Sequence, residues 1–358
     1  DGQALVLGPR HRISFRRNVP NRWRQSRCRS TCKSVEHPRW PCSVESSADT
    51  RIREVRRLDC MVSLNALDCW KREPYFVPQS EGAFLDILLI LKALILGLVE
   101  AASEFLPISS TGHLIVVGDF LDFTGSHAEV FEIFIQLGAT LAVVWIYRKR
   151  LLNIALNVDW DCKAQRLVIN LAIAFVPAAV LGLLLHQTIT NYLFNPVSVA
   201  GALVLGGFVI LLIERYARME QVQAVEEMRW KNALLVGIAQ SLALFPGVSR
   251  SGATIMGGMA GGMSRFAATE FSFFLAIPTM LTATFYSLYK EWHSLSYADV
   301  PMFTLGFVAA FLGGLMVVRF LLDYVGRHSF VPFSYYRIVF GGLLLVYFHY
   351  HPWIGKGG

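Results

Sequence analysis

Residues 99–113 read VEAASEFLPISSTGH and stand directly behind the apolar run LDILLILKALILGL at 85–98. Two carboxylates (Glu100, Glu104), clustered hydroxyls (Ser109, Ser110, Thr111) and an imidazole (His113) therefore enter the chain where it most resembles membrane. Ionisable groups are costly in hydrocarbon and mark function there. Irregular backbone at that depth is tolerated only where protein or a water-filled cavity surrounds it. The stretch thus calls for a fold that encloses a polar cavity.

Composition agrees. Hydrophobic residues make up 54% and charged residues 16%, against about 25% charged in ordinary soluble domains; the mean hydropathy is +0.45. Residues 1–80 hold 16 of the 33 Lys and Arg but only 8 of the 26 Asp and Glu. The charges of the remainder nearly cancel, so the basic pI reflects this segment and gives no reason to expect a nucleic-acid partner. The segment is rich in Arg, Ser and Pro, lacks a sustained apolar period, and is expected to be a disordered basic extension. It carries Cys28, Cys32, Cys42, Cys60 and Cys69. Cys28 and Cys32 lack the second pair that a zinc finger needs, and nothing around them resembles a secreted disulfide module. Met61 offers an internal start just ahead of the apolar body.

From Phe84 onward, long apolar runs alternate with short polar links. Runs at 130–147, 167–186, 197–213, 268–289, 302–322 and 335–350 approach the ~20 residues that cross a ~30 Å hydrocarbon core. The runs at 84–103 and 233–245 differ, since each ends in a Pro/Gly/Ser cluster and is followed by a shorter apolar return, at 114–121 and 252–263. A run that enters, breaks at polar backbone and returns reads as a re-entrant hairpin.

These broken segments also repeat. GLVEAASEFLPISSTGHLI at 97–115 aligns without gaps on GIAQSLALFPGVSRSGATI at 237–255, an offset of 140. The same offset brings Phe131, Phe134 and Leu141 onto Phe271, Phe274 and Leu281, and PVSVAGALVLGG at 196–207 resembles PFSYYRIVFGGL at 332–343. Each half then has one hairpin and three crossings. Because three is odd, the halves enter from opposite faces. The expected fold is an all-α polytopic membrane protein, an inverted-topology repeat with six transmembrane helices plus two re-entrant helical hairpins. Its domain spans 81–354, with halves at about 84–214 and 233–350. Arg148, Lys149, Arg150, Lys163, Arg166, Arg215, Arg218, Arg229, Lys231 and Arg327 fall on one side, which the positive-inside rule makes cytoplasmic.

Glu100 and Glu104 are four apart and share a helical face. Such a pair holds a divalent cation or divides into acid and base. Ser109, Ser110 and Thr111 beside His113 supply a nucleophile and a base, or phosphate donors and an acid; equally, a hydroxyl there caps the returning helix. In the facing PGVSRSGAT loop, Arg250 between Ser249 and Ser251, with Gly252 relaxing the backbone, suits a fork of donors around phosphate. Glu270 is a secondary candidate that orients Arg250 or binds metal. Together these residues point to phosphoryl chemistry on a lipid-borne phosphate, and the absence of a Walker or kinase signature favours water as acceptor.

EAASEFLPISSTGH and PGVSRSGAT closely resemble the two signature regions of the bacitracin-resistance-type undecaprenyl-diphosphate phosphatases. The resemblance runs along essentially all of 84–350, FEIFIQLG and TEFSFFLAIP included, and leaves 1–80 outside. It implies an integral inner-membrane hydrolase that converts undecaprenyl diphosphate to undecaprenyl phosphate, the lipid carrier for peptidoglycan and other envelope polymers. It also implies a divalent cation, Mg or Ca, and an active site open to the periplasm. By motif position, the paired glutamates of such enzymes fall on Glu100 and Glu104, the loop serine on Ser110, the histidine on His113 and the phosphate-binding arginine on Arg250. Whether serine or histidine attacks stays open. The implied partners are a polyprenyl diphosphate lipid and the bilayer, with a homodimer as an open option. The rival is a transporter or flippase of a polyprenyl phosphate lipid, since inverted repeats with broken helices also characterise transporters. The glutamate pair favours chemistry, because merely binding a lipid phosphate calls for cations rather than carboxylates.

Overall fold

In hydrocarbon no water bonds the backbone, so each apolar run must satisfy its own N–H and C=O groups, which a helix does within one segment. The computed structural model describes residues 82–123, 126–193, 195–216, 221–291 and 299–350. The expectations for 1–80 and its five cysteines lie outside the described residues. Within them are ten α-helices: α1 (Gly82–Glu104), α2 (Ser110–Phe120), α3 (Ser126–Asn157), α4 (Cys162–Tyr192), α5 (Pro196–Tyr216), α6 (Trp230–Leu242), α7 (Arg250–Ala260), α8 (Arg265–Glu291), α9 (Val300–Val325) and α10 (Val331–Tyr350). A 3₁₀ turn, Val225–Glu227, precedes α6. The described residues form no strand; a lone bridge joins Val222 to Met263.

Among the described residues, six helices are long and apolar enough to cross a membrane: Ala128–Asn157, Cys162–Leu185, Pro196–Tyr216, Arg265–Lys290, Val300–Val325 and Val331–Tyr350. They coincide with the six runs read from the sequence, but several extend beyond the apolar stretch. The third helix continues past Arg148–Arg150 to Asn157, because LLNIALN still favours helix after hydropathy has fallen. Leu183, Leu184, Leu205, Met316 and Leu343 face outward and are well exposed, an apolar exterior suited to lipid rather than water.

Inside, α9 packs along both α1 and α3, α5 along α10, α6 along α4, and α8 against α3 and α7. Two of these contacts occupy aligned positions. A Cβ on Gly97 of α1 would come within 2.4 Å of the Gly306 carbonyl in α9, and one on Gly237 of α6 within 2.8 Å of the Ala174 carbonyl in α4. Such backbone contacts leave no room for a side chain. The core between them is aromatic: Phe105, Phe131, Phe271, Phe273 and Phe274 are buried. Phe105 meets Phe273 edge-on at 5.5 Å, so the first residue after α1 is anchored where the chain breaks.

Ion pairs tie the links between helices. Glu214, at the end of α5, accepts from Arg265 Nη2 at 2.6 Å and from the Phe330 N–H at 2.7 Å, joining the starts of α8 and α10. Arg150 of α3 bonds Glu270 of α8 at 2.6 Å and also Glu226 in the 3₁₀ turn.

Gly237→Leu should lower the thermal unfolding temperature of the detergent-solubilised protein, since overpacking against backbone costs about 1–3 kcal/mol. Gly201→Leu, where an added Cβ meets nothing within 4 Å, should leave it nearly unchanged. Equal shifts in the two variants would show that the α6–α4 approach carries no special constraint.

Candidate active site

Both helix breaks end on a strained serine. Ser109 precedes α2 at φ 74° and Ser249 precedes α7 at φ 77°. Non-glycine residues seldom adopt this left-handed region, which costs of order 1–3 kcal/mol and clusters at functional sites. The strain turns the chain so that Ser110 and Arg250 each begin a helix, where free N–H groups favour anions.

The two breaks meet through Glu104. Ser110 Oγ donates to Glu104 Oε2 at 2.7 Å, and Arg250 Nη2 donates to Glu104 Oε1 at 2.9 Å. Arg250 Nη1 is held by the Ser272 carbonyl at 3.1 Å, with Ser272 Oγ 3.4 Å away. Thr254 hydrogen-bonds Ser272 Oγ at 2.6 Å. Both Nη groups are thereby fixed, while Nε is buried without a partner. Sequence reasoning missed Ser272 and Thr254; nothing in a serine on an apolar helix distinguishes it.

Glu100 is fully buried and neither of its carboxylate oxygens has a hydrogen-bond partner. The aligned residue in the other half is Gln240, whose Nε2 donates to the Ala174 carbonyl at 3.3 Å and whose Oε1 accepts from Thr279 at 3.4 Å. An amide can satisfy that backbone; a carboxylate cannot, because it only accepts. Two orphaned carboxylate oxygens one helical turn from Glu104 fit a hard divalent cation. Among the described residues no group of three His, Cys, Asp or Glu could hold a metal. The residues that could hold such an ion are therefore the two carboxylates of Glu100 and Glu104.

His113 lies apart from this chain of bonds. Its Nδ1 sits 2.7 Å from the Ser109 carbonyl and its Nε2 2.6 Å from the Tyr336 hydroxyl. Since a carbonyl only accepts, Nδ1 carries the proton, and in the neutral ring Nε2 accepts from Tyr336. Phe340 stacks on the imidazole at 4.5 Å.

The remaining candidates divide. Ser249 Oγ accepts from the Gly252 N–H at 3.1 Å, which makes it a helix cap, and lies 3.1 Å from Ser251 Oγ. Ser251 Oγ donates to the Leu106 carbonyl at 3.0 Å, binding one loop to the other. Thr111 is half-buried in the first turn of α2. Glu270 pairs with Arg150 rather than Arg250; Ser272 and Glu104 hold Arg250 instead.

A residue the sequence reading passed over joins both loops. Arg337 of α10 is 1% exposed. Its Nη1 donates to the Pro107 carbonyl at 3.1 Å, its Nη2 to Gly247 at 3.0 Å and Ala202 at 3.3 Å, and its Nε to Leu203 at 3.2 Å. Space for it exists because Gly206 lacks a Cβ, which would lie 2.1 Å from Nη2. The signal was present in PFSYYRIVFGGL, where a lone charge interrupts an apolar helix.

The family described as bacitracin resistance protein BacA matches residues 93–343. The chain is similar to the undecaprenyl-diphosphatase of Methylobacillus flagellatus, 54% identical over 269 residues, 74% of this chain and 100% of the relative. It is also similar to those of Nitrosospira multiformis, 55% identical over 262 residues, and Neisseria meningitidis, 55% identical over 264; each match covers 73% of this chain and 96% of the relative.

Replacing Arg337 by Lys should leave a folded, extractable protein whose kcat/KM falls by at least about tenfold, since an ammonium cannot span four acceptors and each orphaned carbonyl costs about 1–3 kcal/mol. An unchanged kcat/KM would show that the loops keep their shape without the guanidinium.

Proposed function

The chain belongs to the family of bacitracin resistance protein BacA, and we propose that, like its relatives, it hydrolyses undecaprenyl diphosphate to undecaprenyl phosphate and inorganic phosphate. It is an integral membrane hydrolase. The product is the lipid carrier used again in peptidoglycan and envelope polymer synthesis, which accounts for the resistance in the family's description.

The observation that carries the reading at residue level is the Ser110–Glu104–Arg250 chain of bonds, with the orphaned atoms of Glu100 and Arg250 beside it. Arg250, its plane fixed by Glu104 and Ser272, offers its free Nε to the terminal phosphate. Ser110 Oγ attacks the terminal phosphorus and passes its proton to Glu104 Oε2, and the bond to the bridging oxygen breaks. Undecaprenyl phosphate leaves, and water then attacks the phosphorus: the bond to Ser110 Oγ breaks, Glu104 returns its proton to that oxygen, and the protons of the water leave with the inorganic phosphate. Ser110 is favoured over His113 as attacking group because its hydroxyl already donates to a base, whereas the His113 Nε2 faces Tyr336. Glu100 and Glu104 would hold a divalent cation, which offsets diphosphate charge when bound. Ser109, Thr111, Ser249, Ser251 and Gly252 shape the two helix starts that face the phosphates, and His113, bonded to the Ser109 carbonyl and the Tyr336 hydroxyl, holds the first loop in place.

The same reading extends to topology. We infer that α1–α2 and α6–α7 are the two re-entrant hairpins of an inverted-topology repeat. In its support, strained serines recur at an offset of 140 and aligned glycines approach α9 and α4 in the same way. With the basic links cytoplasmic, the cavity opens toward the periplasm.

Purified full chain in neutral detergent should release phosphate from a prenyl diphosphate, stop on chelation and recover with Mg or Ca. No release would overturn the hydrolase reading, since detergent leaves no compartments for transport to score. Glu100→Gln should raise the cation concentration needed for half-maximal rate by at least about tenfold, whereas an unshifted requirement would remove the pair from metal binding. Arg250→Ala should lose about 10²-fold or more in kcat, as when one preorganised donor is removed from developing charge, and Arg250→Lys should recover little of it. Activity of Arg250→Ala within a few-fold of the parent would sink the phosphate assignment.

A further inference from the structure

A cavity of about 490 Å³ lies at the end of α6 away from the active-site loop. Its walls come from the first turns of α4 and α6, which pack side by side. The buried Asn170 side chain fixes this wall, its Nδ2 donating to the Met228 carbonyl at 2.9 Å and clamping the link before α6 onto α4. Three cations, Arg166, Arg229 and Lys231, line the space with Trp230 and Ile169, and no carboxylate does. Helix α6 has 13 residues, so the cavity lies roughly 20 Å from the break that carries Arg250, at 1.5 Å per residue. It is separate from the substrate site.

No carboxylate compensates the charge in this cavity; Lys231 Nζ rests over the Trp230 ring, 5.7 Å from its centroid. Among the described residues Arg166, Arg229 and Lys231 form no ion pair. Of the acids on the adjoining segments, Asp161 caps the Lys163 N–H, Glu226 pairs with Arg150, Glu227 accepts from the Gln223 N–H, and Asp159 forms no ion pair with the three cations. Three unpaired cations around one concavity repel one another, and an anion relieves that repulsion.

The surroundings select which anion. Ile169 and Trp230 line the cavity while each is 56% exposed, and Val168, Leu234, Leu235 and Ile238 continue the exposed apolar surface along the same two helices. A soluble anion gains nothing from that surface, whereas an acyl chain lies along it while its phosphate meets the cations. An indole at the junction of the two is the usual interfacial anchor, and basic pockets between membrane helices favour acidic headgroups. We propose that this cavity binds an anionic phospholipid, its phosphate held by Arg166, Arg229 and Lys231 and its acyl chain along Ile169 and Ile238. Three cations without an acid favour a headgroup with more than one negative charge, and cardiolipin is the probe.

The test uses the full chain in neutral detergent, titrated with cardiolipin or phosphatidylcholine and read by native mass spectrometry. R166Q/R229Q/K231Q should weaken cardiolipin binding at least about tenfold, from about 1 kcal/mol per basic residue near an acidic lipid. Phosphatidylcholine retention should not change, and prenyl diphosphate hydrolysis should stay within about twofold because the cavity lies outside the catalytic machinery. Trp230→Ala, which leaves the charge intact, should weaken cardiolipin as well. The variant R148Q/K149Q removes charge from the same end of the bundle but outside the cavity and should have little effect. Unchanged cardiolipin affinity in the triple variant would overturn the proposal. So would an equal loss in R148Q/K149Q, which would indicate a diffuse field rather than a site. Displacement of cardiolipin by millimolar inorganic phosphate would reassign the cavity to a soluble anion and likewise overturn the lipid.

Discussion

A chain that breaks its helix in a buried place frees carbonyl groups that the helix no longer bonds, and everything at this candidate site depends on how they are satisfied. Arg337 answers that constraint. One buried guanidinium takes Pro107 from the first break and Gly247 from the second, then anchors both to α5 through Ala202 and Leu203. Buried charge is normally expensive, but five donors in a rigid fork match four acceptors, and the bonds hold the two loops at a fixed distance. Ser251, donating to the Leu106 carbonyl, adds a second tie.

With the loops held, electrostatics inside the cavity follow from what is paired and what is left open. Glu104 and Arg250 neutralise one another at 2.9 Å. Among the described residues, the buried side-chain atoms left without partners are the Glu100 oxygens and Arg250 Nε, together with Thr284 Oγ1 elsewhere. Native structures satisfy nearly all such atoms, and their concentration at one site is what the proposed placement of substrate and cation rests on. The contrast with Gln240 sharpens this. The repeat provides a position at which an amide satisfies the backbone, and the catalytic half places a carboxylate there instead.

Two polar regions thus lie at different depths of one bundle. Between the helix breaks, cation and carboxylate pair, and the proposed chemistry is phosphoryl transfer. At the starts of α4 and α6, cations stand without acids beside an exposed indole, which suits holding a lipid phosphate rather than cleaving one. Charge composition, not position alone, separates the two roles.

What the sequence by itself determined is what local order encodes. Six apolar runs, two breaks at Pro107 and Pro246, the Glu100/Glu104 spacing and the offset of 140 were all legible, because hydropathy, helix period and repetition are read along the chain. Tertiary structure alone decided which groups meet. Glu104 and Arg250 are 146 residues apart, and no spacing rule joins them. Glu270 looked like a partner for Arg250, yet Ser272 takes that place; two residues advance about 200° around a helix, so their side chains face opposite sides. His113 turned to Tyr336 rather than Ser110 for the same kind of reason, since α10 supplies the neighbouring face. Arg337 looked like one stray charge in an apolar helix until packing put four carbonyls from three segments within its reach. Side-chain partnership across helices depends on rotation and approach, and a single sequence records neither.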